Sequence, residues 1–365
     1  IRRPPRSTLF PYTTLFRSLP GEGEPKADLK PFDFVMKPGM ESKMPRVKAR
    51  PWTREQLQWW IPWIAREVKA GRYRPNPSSI YASNLLLILK PKLGPGPNDY
   101  RDTLDAVHVN ECCESVVSQI PNQQTINQHC EGMEAFFEID CVWGFHQITM
   151  TERAQEALTV ITPTGKYSPT VMPYGPKNAP QHFQAEMNRI LESVKHVSCF
   201  FDNVTGAGRN YDHLLSVYDE TLTVFEKHRV RANTKKTKFG FIEIKSLGRL
   251  MSGTGTRPDP EDMEAVKNLA PPPTQKLLHV CIGFMNWLSG FVPNYAAIAE
   301  PITRLLKPKE KAGARVPWTE PTLKRFEQLK QAILIACPLV HRIEGAIIKS
   351  RGDFSGTGIA EAILQ

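Results

Sequence analysis

The chain has 365 residues, 41% of them apolar and 23% charged, which allows two or three domains with a sizeable core and excludes a disordered chain. A formal net charge of +10, which falls to a mildly basic +6 without the four arginines of residues 1–18, suggests a polyanionic partner but does not by itself establish one. No apolar run is long enough to span a bilayer, and the seven cysteines are odd in number and lack a C-x-x-C pair. These features argue against a membrane role, a disulfide framework and a zinc site, and fit reduced, intracellular thiols.

In chain order, residues 1–18, IRRPPRSTLFPYTTLFRS, hold four arginines and no acid. They have no helical or strand period and resemble a translated sequencing adapter, so they are set aside from the fold. A targeting peptide is the competing reading, although the continuous apolar stretch of a secretory signal is missing. Residues 19–50 are rich in Pro, Gly and Lys and read as a flexible lead-in. Thr53 then starts a helix, with Gln56 completing a capping box. Leu57, Ile61, Ile64 and Val68 form its apolar stripe, Pro62 should kink or shorten it, and Gly71 stops it. SNLLLILKPK is a strand and LGPGPNDY a turn-rich loop. Residues 135–150 read as strand, turn and more strand. Residues 177–194 suit a helix that places Phe183, Met187 and Ile190 on one face. VSCFFDNVTG is strand–turn–strand, and residues 211–229 form a helix on Leu214, Tyr218, Leu222 and Phe225. This order gives an α+β sheet with helices on one face. Beyond it, Asp259 and Pro260 open a helix as N-cap and N1 proline, PPP at 271–273 stops it, and HVCIGFMNWLSGF continues as another. A Lys- and Pro-bearing linker lies near 307–317.

Two of these segments each deliver an aspartate: FFEIDCVWGFHQ carries Asp140 and CFFDNVTGAG carries Asp202. A lone aspartate after an apolar run is ordinarily a strand end or a cap. Two of them flanking VMPYGPKNAPQHFQ, residues 171–184, point to a buried strand pair that presents carboxylates to a divalent metal. Carboxylates ~4 Å apart repel by ~4 kcal/mol at an effective dielectric of ~20, so such a pair calls for a dication. Phosphoryl transfer uses this arrangement, because metal ions neutralise the triphosphate and align the attacking oxygen.

On these residues the chain resembles the reverse transcriptase of gypsy-type long-terminal-repeat retrotransposons, in family order from about residue 54 onward. The resemblance implies a right-hand polymerase: fingers and palm over 51–252, thumb or connection helices over 253–310, and an incomplete ribonuclease H-like end over 311–365. It makes Asp140 and Asp202 the metal ligands, for Mg²⁺ or Mn²⁺. Gly144, Phe145 and Gln147 match the Gly-Tyr-x-Gln that follows the first aspartate. Phe145 would lie under the sugar of the incoming nucleotide and select dNTP; a core aromatic is the competing reading. Tyr174 and Gly175 would flank the nascent base pair, Gln147 would belong to the same nucleotide site, and Asn178 would cap the following helix. In YRDTLDAVHVN, Arg101 matches the arginine that grips the triphosphate, while Lys90 and Lys92 are equally readable as solvated loop charges. NTKKTKFGF makes Lys236 a candidate proton donor to pyrophosphate, with Lys235 and Lys238 in the same segment. Leu247 and Gly248 fall at the primer-grip turn, where a plain hairpin would also use them.

Three departures accompany the match. Asn203 stands where the family has a second aspartate; it keeps an oxygen and loses a charge, so Asn203→Asp is the natural repair. Val107 stands in place of an arginine on the template side of the fingers. RGDFSGTGIAEAILQ resembles the first strand of ribonuclease H, with Asp353 as its first carboxylate, and no complete ribonuclease H site is expected within these residues. The resemblance therefore implies an RNA-directed DNA polymerase fragment that takes dNTP and an RNA or DNA template with its primer. It would act inside the cell, in a cytoplasmic particle or the nucleus, with its oligomeric state left open. A catalytically inactive remnant that at most binds template–primer, and a domesticated interaction protein, are the alternatives.

Overall fold

The structure, a computed structural model, describes residues 26–91, 99–118, 120–121, 123–246, 248–307, 310–335, 338–340, 349–355 and 358–364. Residues 1–18, most of the loop after Lys90 with Lys92, Leu247, and Ile347 and Ile348 lie outside them. The chain forms two compact units, one from residues 1–122 and 136–241, the other from residues 123–135 and 242–365.

In the first unit the helix Arg54–Lys69 opens as the sequence demands. The Thr53 hydroxyl accepts from Gln56 N (3.2 Å), and the Gln56 side chain accepts from Thr53 N (2.9 Å). Pro62 lies inside the helix and does not end it. The buried face is not the expected aliphatic stripe: Ile61 is 54% exposed, while Trp60, Trp63, Ile64 and Glu67 are buried. The indoles decide the rotation, because each buries far more surface than an isoleucine. Trp60 and Trp63 stack with ring centroids 5.0 Å apart, Trp63 meets Tyr73 edge-on, and Trp60 Nε1 donates to Thr164 Oγ1 (2.9 Å). Glu67 is tolerated beside them because Arg72 Nε and Nη2 donate to its carboxylate at 2.5 and 2.9 Å.

The strands of this unit are β1 (Tyr73–Pro75), β2 (Ser83–Leu89), β3 (Tyr100–Leu104), β4 (Ala135–Asp140), β5 (Val160–Thr162), β6 (Gly165–Pro169), β7 (Val197–Phe200), β8 (Asn203–Gly208) and β9 (Lys238–Phe241). One sheet runs β1-β6-β5-β2-β3, with β2 parallel to β5 and the other pairs antiparallel. The other runs β7-β8-β4-β9. The segment after β4 is a short 3-10 turn at Gly144–Gln147 instead of a second strand, and it buries Gly144, His146 and Gln147. The helices Ala179–Leu191 and Tyr211–Lys227 bury the residues their periodicity selects, Phe183, Met187 and Ile190 on the first and Leu214, Tyr218, Leu222 and Phe225 on the second. Asn178 precedes the first of these helices without capping it. Its amide donates to Glu114 O (2.8 Å) and accepts from Val116 N (3.1 Å), so it fastens a loop instead.

Beneath the second helix, Phe137 of β4 meets Tyr218 edge-on at 5.0 Å, and Tyr218 meets Phe239 of β9 at 5.1 Å. This packing needs a bare backbone on β8: a Cβ on Gly206 would stand 2.1 Å from the Phe137 ring.

The second unit holds β10 (Ile244–Ser246), β11 (Arg249–Ser252), β12 (Gly255–Pro258) and β13 (Leu339–Val340) in one sheet in that order, and a separate hairpin of β14 (Lys349–Ser355) and β15 (Gly358–Leu364). Its helices include Pro260–Lys267, which opens on Asp259 as N-cap, and Gln275–Trp287. Leu278, Ile282, Met285, Phe326, Leu329 and Ile333 sit in their shared core. The helix Glu320–Leu334, which supplies three of them, was not anticipated from the sequence.

Gly206→Val should lower stability by about 1–3 kcal/mol in urea unfolding, through overpacking against Phe137. Gly283→Ala, in a helix where an added Cβ meets nothing within 4 Å, should instead stabilise by about 0.5–1 kcal/mol.

Candidate active site

Asp140 ends β4, and Asp202 sits in the two-residue turn between β7 and β8, the neighbouring hairpin of the same sheet. The two segments are joined directly, since Cys141 N donates to Asp202 O (2.7 Å). Both aspartates line a cavity of about 290 Å³ together with Trp63, Lys90, Tyr100, Arg101, Asp102, Trp143, Tyr174 and Lys236. Burial pushes the Asp202 carboxyl up, and the negative charge of Asp140 adds to the shift, while Lys236 and Arg101 oppose it. Both aspartates thus face one cavity, where the Asp140 charge acts on Asp202.

The turn under Asp202 is held in an unusual shape. Phe201 is left-handed, with φ 53°, a conformation disfavoured for a bulky residue. Gln184, fully buried, holds it there: its amide donates to Cys199 O (2.8 Å) and accepts from Phe201 N (2.8 Å). A second glutamine does the same beside Asp140. Gln147 Nε2 donates to Val142 O (2.8 Å) and Arg231 O (2.9 Å), and its Oε1 accepts from Arg231 N (2.7 Å). Gln147 is buried and does not line the cavity, so its amide supports the site from behind. Gln184 was present in the sequence only as part of a motif; a buried glutamine bonding a strand and the turn that follows it leaves no periodic signal.

Arg101, on β3, places its guanidinium 5.3 Å from the centroid of the Tyr174 ring, at the cavity wall. Lys90 lines the same wall and pairs with Asp99 at 2.7 Å. Tyr174 is tied to β3, because its carbonyl accepts from Leu104 N (2.8 Å). Gly175 adopts φ 121°, and a Cβ there would stand 2.3 Å from Leu104 O, so only glycine allows this approach. Phe145 is half-buried between Tyr174 and Phe183, with ring centroids 5.4 and 5.6 Å away, and is not itself part of the cavity wall. Gly144 makes that possible: its Cβ would lie 2.9 Å from the Phe183 ring and 3.3 Å from Asp202 Cβ.

The three lysines of the 233–241 segment separate cleanly. Lys236 Nζ donates to Asp140 Oδ2 (3.0 Å), and Lys238 Nζ donates to Glu138 Oε2 (2.6 Å). Lys236 lines the cavity, unlike Lys235 and Lys238. Asn203 does not line it either; its side chain turns to Glu138. Val107 begins the helix Val107–Cys112 and is 59% exposed. Gly248 is left-handed in the second unit, its position open to a Cβ only at 3.4 Å from Trp287, which fits the turn expected there. Asp353 lies on β14.

The sequence did not single out three residues that the structure brings to the site. Trp143 lines the cavity in a left-handed conformation, φ 47° and ψ 50°. His146 is buried against Tyr174, and burial, with Arg72 and Arg101, pushes it down to about 3, so it is neutral throughout the working range. Asp102 is buried in the cavity wall and accepts from Tyr73 Oη (3.1 Å).

Residues 90–267 match the family described as Reverse transcriptase (RNA-dependent DNA polymerase). Among solved structures, the chain is similar to a foamy viral protease-reverse transcriptase in complex with dsDNA, with a TM-score of 0.83 at 20% identity over 98% of this chain and 73% of that one. The same viral protein in complex with an RNA/DNA hybrid gives a TM-score of 0.77 at 18% identity, over 98% of this chain and 49% of that one. The fold is that of a reverse transcriptase. In sequence, the chain is similar to the Retrovirus-related Pol polyprotein from transposon 297 of Drosophila melanogaster, 29% identical over 72% of this chain and 25% of that protein. It is also similar to the Transposon Tf2-7 polyprotein of Schizosaccharomyces pombe, 25% identical over 73% of this chain and 20% of that protein. The chain thus spans about a quarter or less of the length of these curated relatives. Among the described residues, no helix is long and apolar enough to cross a membrane.

Burial raises the Asp102 carboxyl to about 7, with Glu67 adding to the rise and Tyr73 and Lys90 opposing it. A raised acid stabilises the fold below its unfolded value, and that contribution is lost as pH rises through about 7. Asp102→Asn keeps an acceptor for Tyr73 and cannot ionise. At pH ~8 it should be more stable than the parent by on the order of 2–4 kcal/mol, with the gap narrowing as pH falls through ~7 and closing only below pH ~4, in thermal melts from pH ~8 to ~4.

Proposed function

We propose that the chain is the polymerase region of a gypsy-type retrotransposon reverse transcriptase, an RNA-directed DNA polymerase that joins dNTP to a primer 3′-OH. The supporting observation is the pair Asp140 and Asp202, fastened through Cys141 N and Asp202 O at one cavity that also presents Arg101 and Lys236. The donor set fits a hard dication: two carboxylates supply oxygen ligands, and among the described residues no third acid, His or Cys completes a cluster, which suits an ion that keeps water and substrate oxygens. Asp140 and Asp202 would hold Mg²⁺ or Mn²⁺, which when bound supplies positive charge to the triphosphate.

The remaining roles belong to the chain's own groups. Arg101 offers a planar guanidinium for phosphate oxygens, and its place beside the Tyr174 ring limits its freedom before substrate arrives. Lys236 Nζ, which now neutralises Asp140, stands where it can donate a proton to departing pyrophosphate. Tyr174 and Gly175 form the wall for the nascent base pair. Phe145 acts through its contact with Tyr174, setting how deeply that ring stands and so whether a 2′-hydroxyl fits. Gln147 positions the Asp140 side of the site. Leu247 and Gly248 would serve the primer end. Template–primer, as RNA or DNA, is the macromolecular partner, and the reaction would take place inside the cell. The regions would be fingers and palm over 51–252, thumb or connection helices over 253–310, and a ribonuclease H-like start over 311–365 that carries Asp353.

Asn203 and the exposed Val107 favour a second reading, an inactive remnant that binds template–primer. Primer extension on poly(rA)·oligo(dT) with Mg²⁺ or Mn²⁺ separates the two. The parent should extend the primer, and Asp140→Ala should reduce extension by about 10³-fold or more, since one ligand of a two-carboxylate site is lost. A folded parent that binds primer–template and extends nothing with either ion would establish the remnant.

A further inference from the structure

The departure at residue 203 has a structural partner. Glu138 and Asp140 alternate on β4 and therefore share a face of the sheet. Asn203 opens β8, on one side of β4, and Lys238 opens β9, on the other. Asn203 Nδ2 donates to Glu138 Oε1 (2.7 Å), and Lys238 Nζ donates to Glu138 Oε2 (2.6 Å). The Glu138 carboxylate thus bridges three strands, β8, β4 and β9, two residues before Asp140 and beside the residue that follows Asp202. Its side chain is only 15% exposed. The oxygen of the same amide, Asn203 Oδ1, is buried and meets no hydrogen-bond donor among the described residues.

We propose that Glu138 is a positioning residue whose carboxylate holds the strand that follows Asp202, and that position 203 must therefore present an amide donor and not an acid. An ionised aspartate at 203 has acceptors only. One oxygen would face Glu138 Oε1 at hydrogen-bond distance, where like charges repel, and the other would occupy the buried place of Oδ1 with nothing to donate to it. Lys238 alone would have to answer two carboxylates. Asn203→Asp, which the sequence alone presents as a repair, becomes a defect in this chain. The acid at 138 and the amide at 203 are one unit, and the polarity of the bond between them can be reversed only by changing both.

The test is a double-mutant cycle of the parent, Asn203→Asp, Glu138→Gln, and Glu138→Gln/Asn203→Asp. Thermal melts in EDTA make the first readout independent of catalysis. Asn203→Asp should lower Tm by about 4 °C or more, and adding Glu138→Gln should recover most of that loss, because the amide introduced at position 138 can donate to the carboxylate introduced at position 203. The second readout, primer extension with Mg²⁺, rests on the proposed polymerase function. There Asn203→Asp should lower kcat, and the double variant should exceed it several-fold, with the change in kcat larger than in the KM for dNTP. Additive Tm changes, or an Asn203→Asp protein as stable as the parent, would overturn the pairing. If all four proteins are inactive, the polymerase reading fails while the Tm cycle still decides the pair.

Discussion

Two carboxylates have to be held at one end of a sheet although they repel each other, and much of the first unit is arranged around that requirement. The connection is made by the backbone, Cys141 N to Asp202 O, so it does not depend on the charge state of either side chain. Two buried glutamines then fix what surrounds it: Gln184 holds the left-handed Phe201 turn, and Gln147 holds Val142 to Arg231. An amide suits this work because it donates and accepts at once and carries no charge to add to a crowded site. The cost appears in Asp202, whose carboxyl is pushed up by burial and by Asp140. A site of this kind stores unfavourable charge that a cation relieves.

The same requirement explains the positions of the small residues. Gly175 lets Tyr174 reach β3, Gly144 lets Phe183 stand against Asp202, and Gly206 admits the Phe137 ring that packs under the sheet. Lys236 and Arg101 bring compensating charge to the cavity without burying it.

Much of this was legible in the sequence. The strand segments that carry Asp140 and lead into and out of Asp202, the helices built on Phe183 and Leu214, the Thr53 capping box and the Asp259 N-cap are local patterns, and local patterns survive folding. The misses are non-local. The helix Arg54–Lys69 turns its tryptophans inward because partners more than a hundred residues away, Thr164 and Tyr167, receive them. Asn178 reads as a cap and serves a loop some sixty residues upstream. The partner of the Asn203 amide, Glu138 on the neighbouring strand, likewise has no local signal. Trp143 and Asp102 gave no signal, since a strained tryptophan and a buried aspartate in a cavity wall have no period and no spacing.

The proposed polymerase function depends on Asp140 and Asp202 forming one dication site. Mn²⁺ binding to the purified chain, followed by the loss of free-ion EPR signal, tests it without any demand on catalysis. The parent should bind saturably and Mg²⁺ should compete the Mn²⁺ away, with binding weakened by about 10-fold or more in both Asp140→Asn and Asp202→Asn while each variant remains folded. Equal Mn²⁺ binding by the parent and the two variants would contradict it.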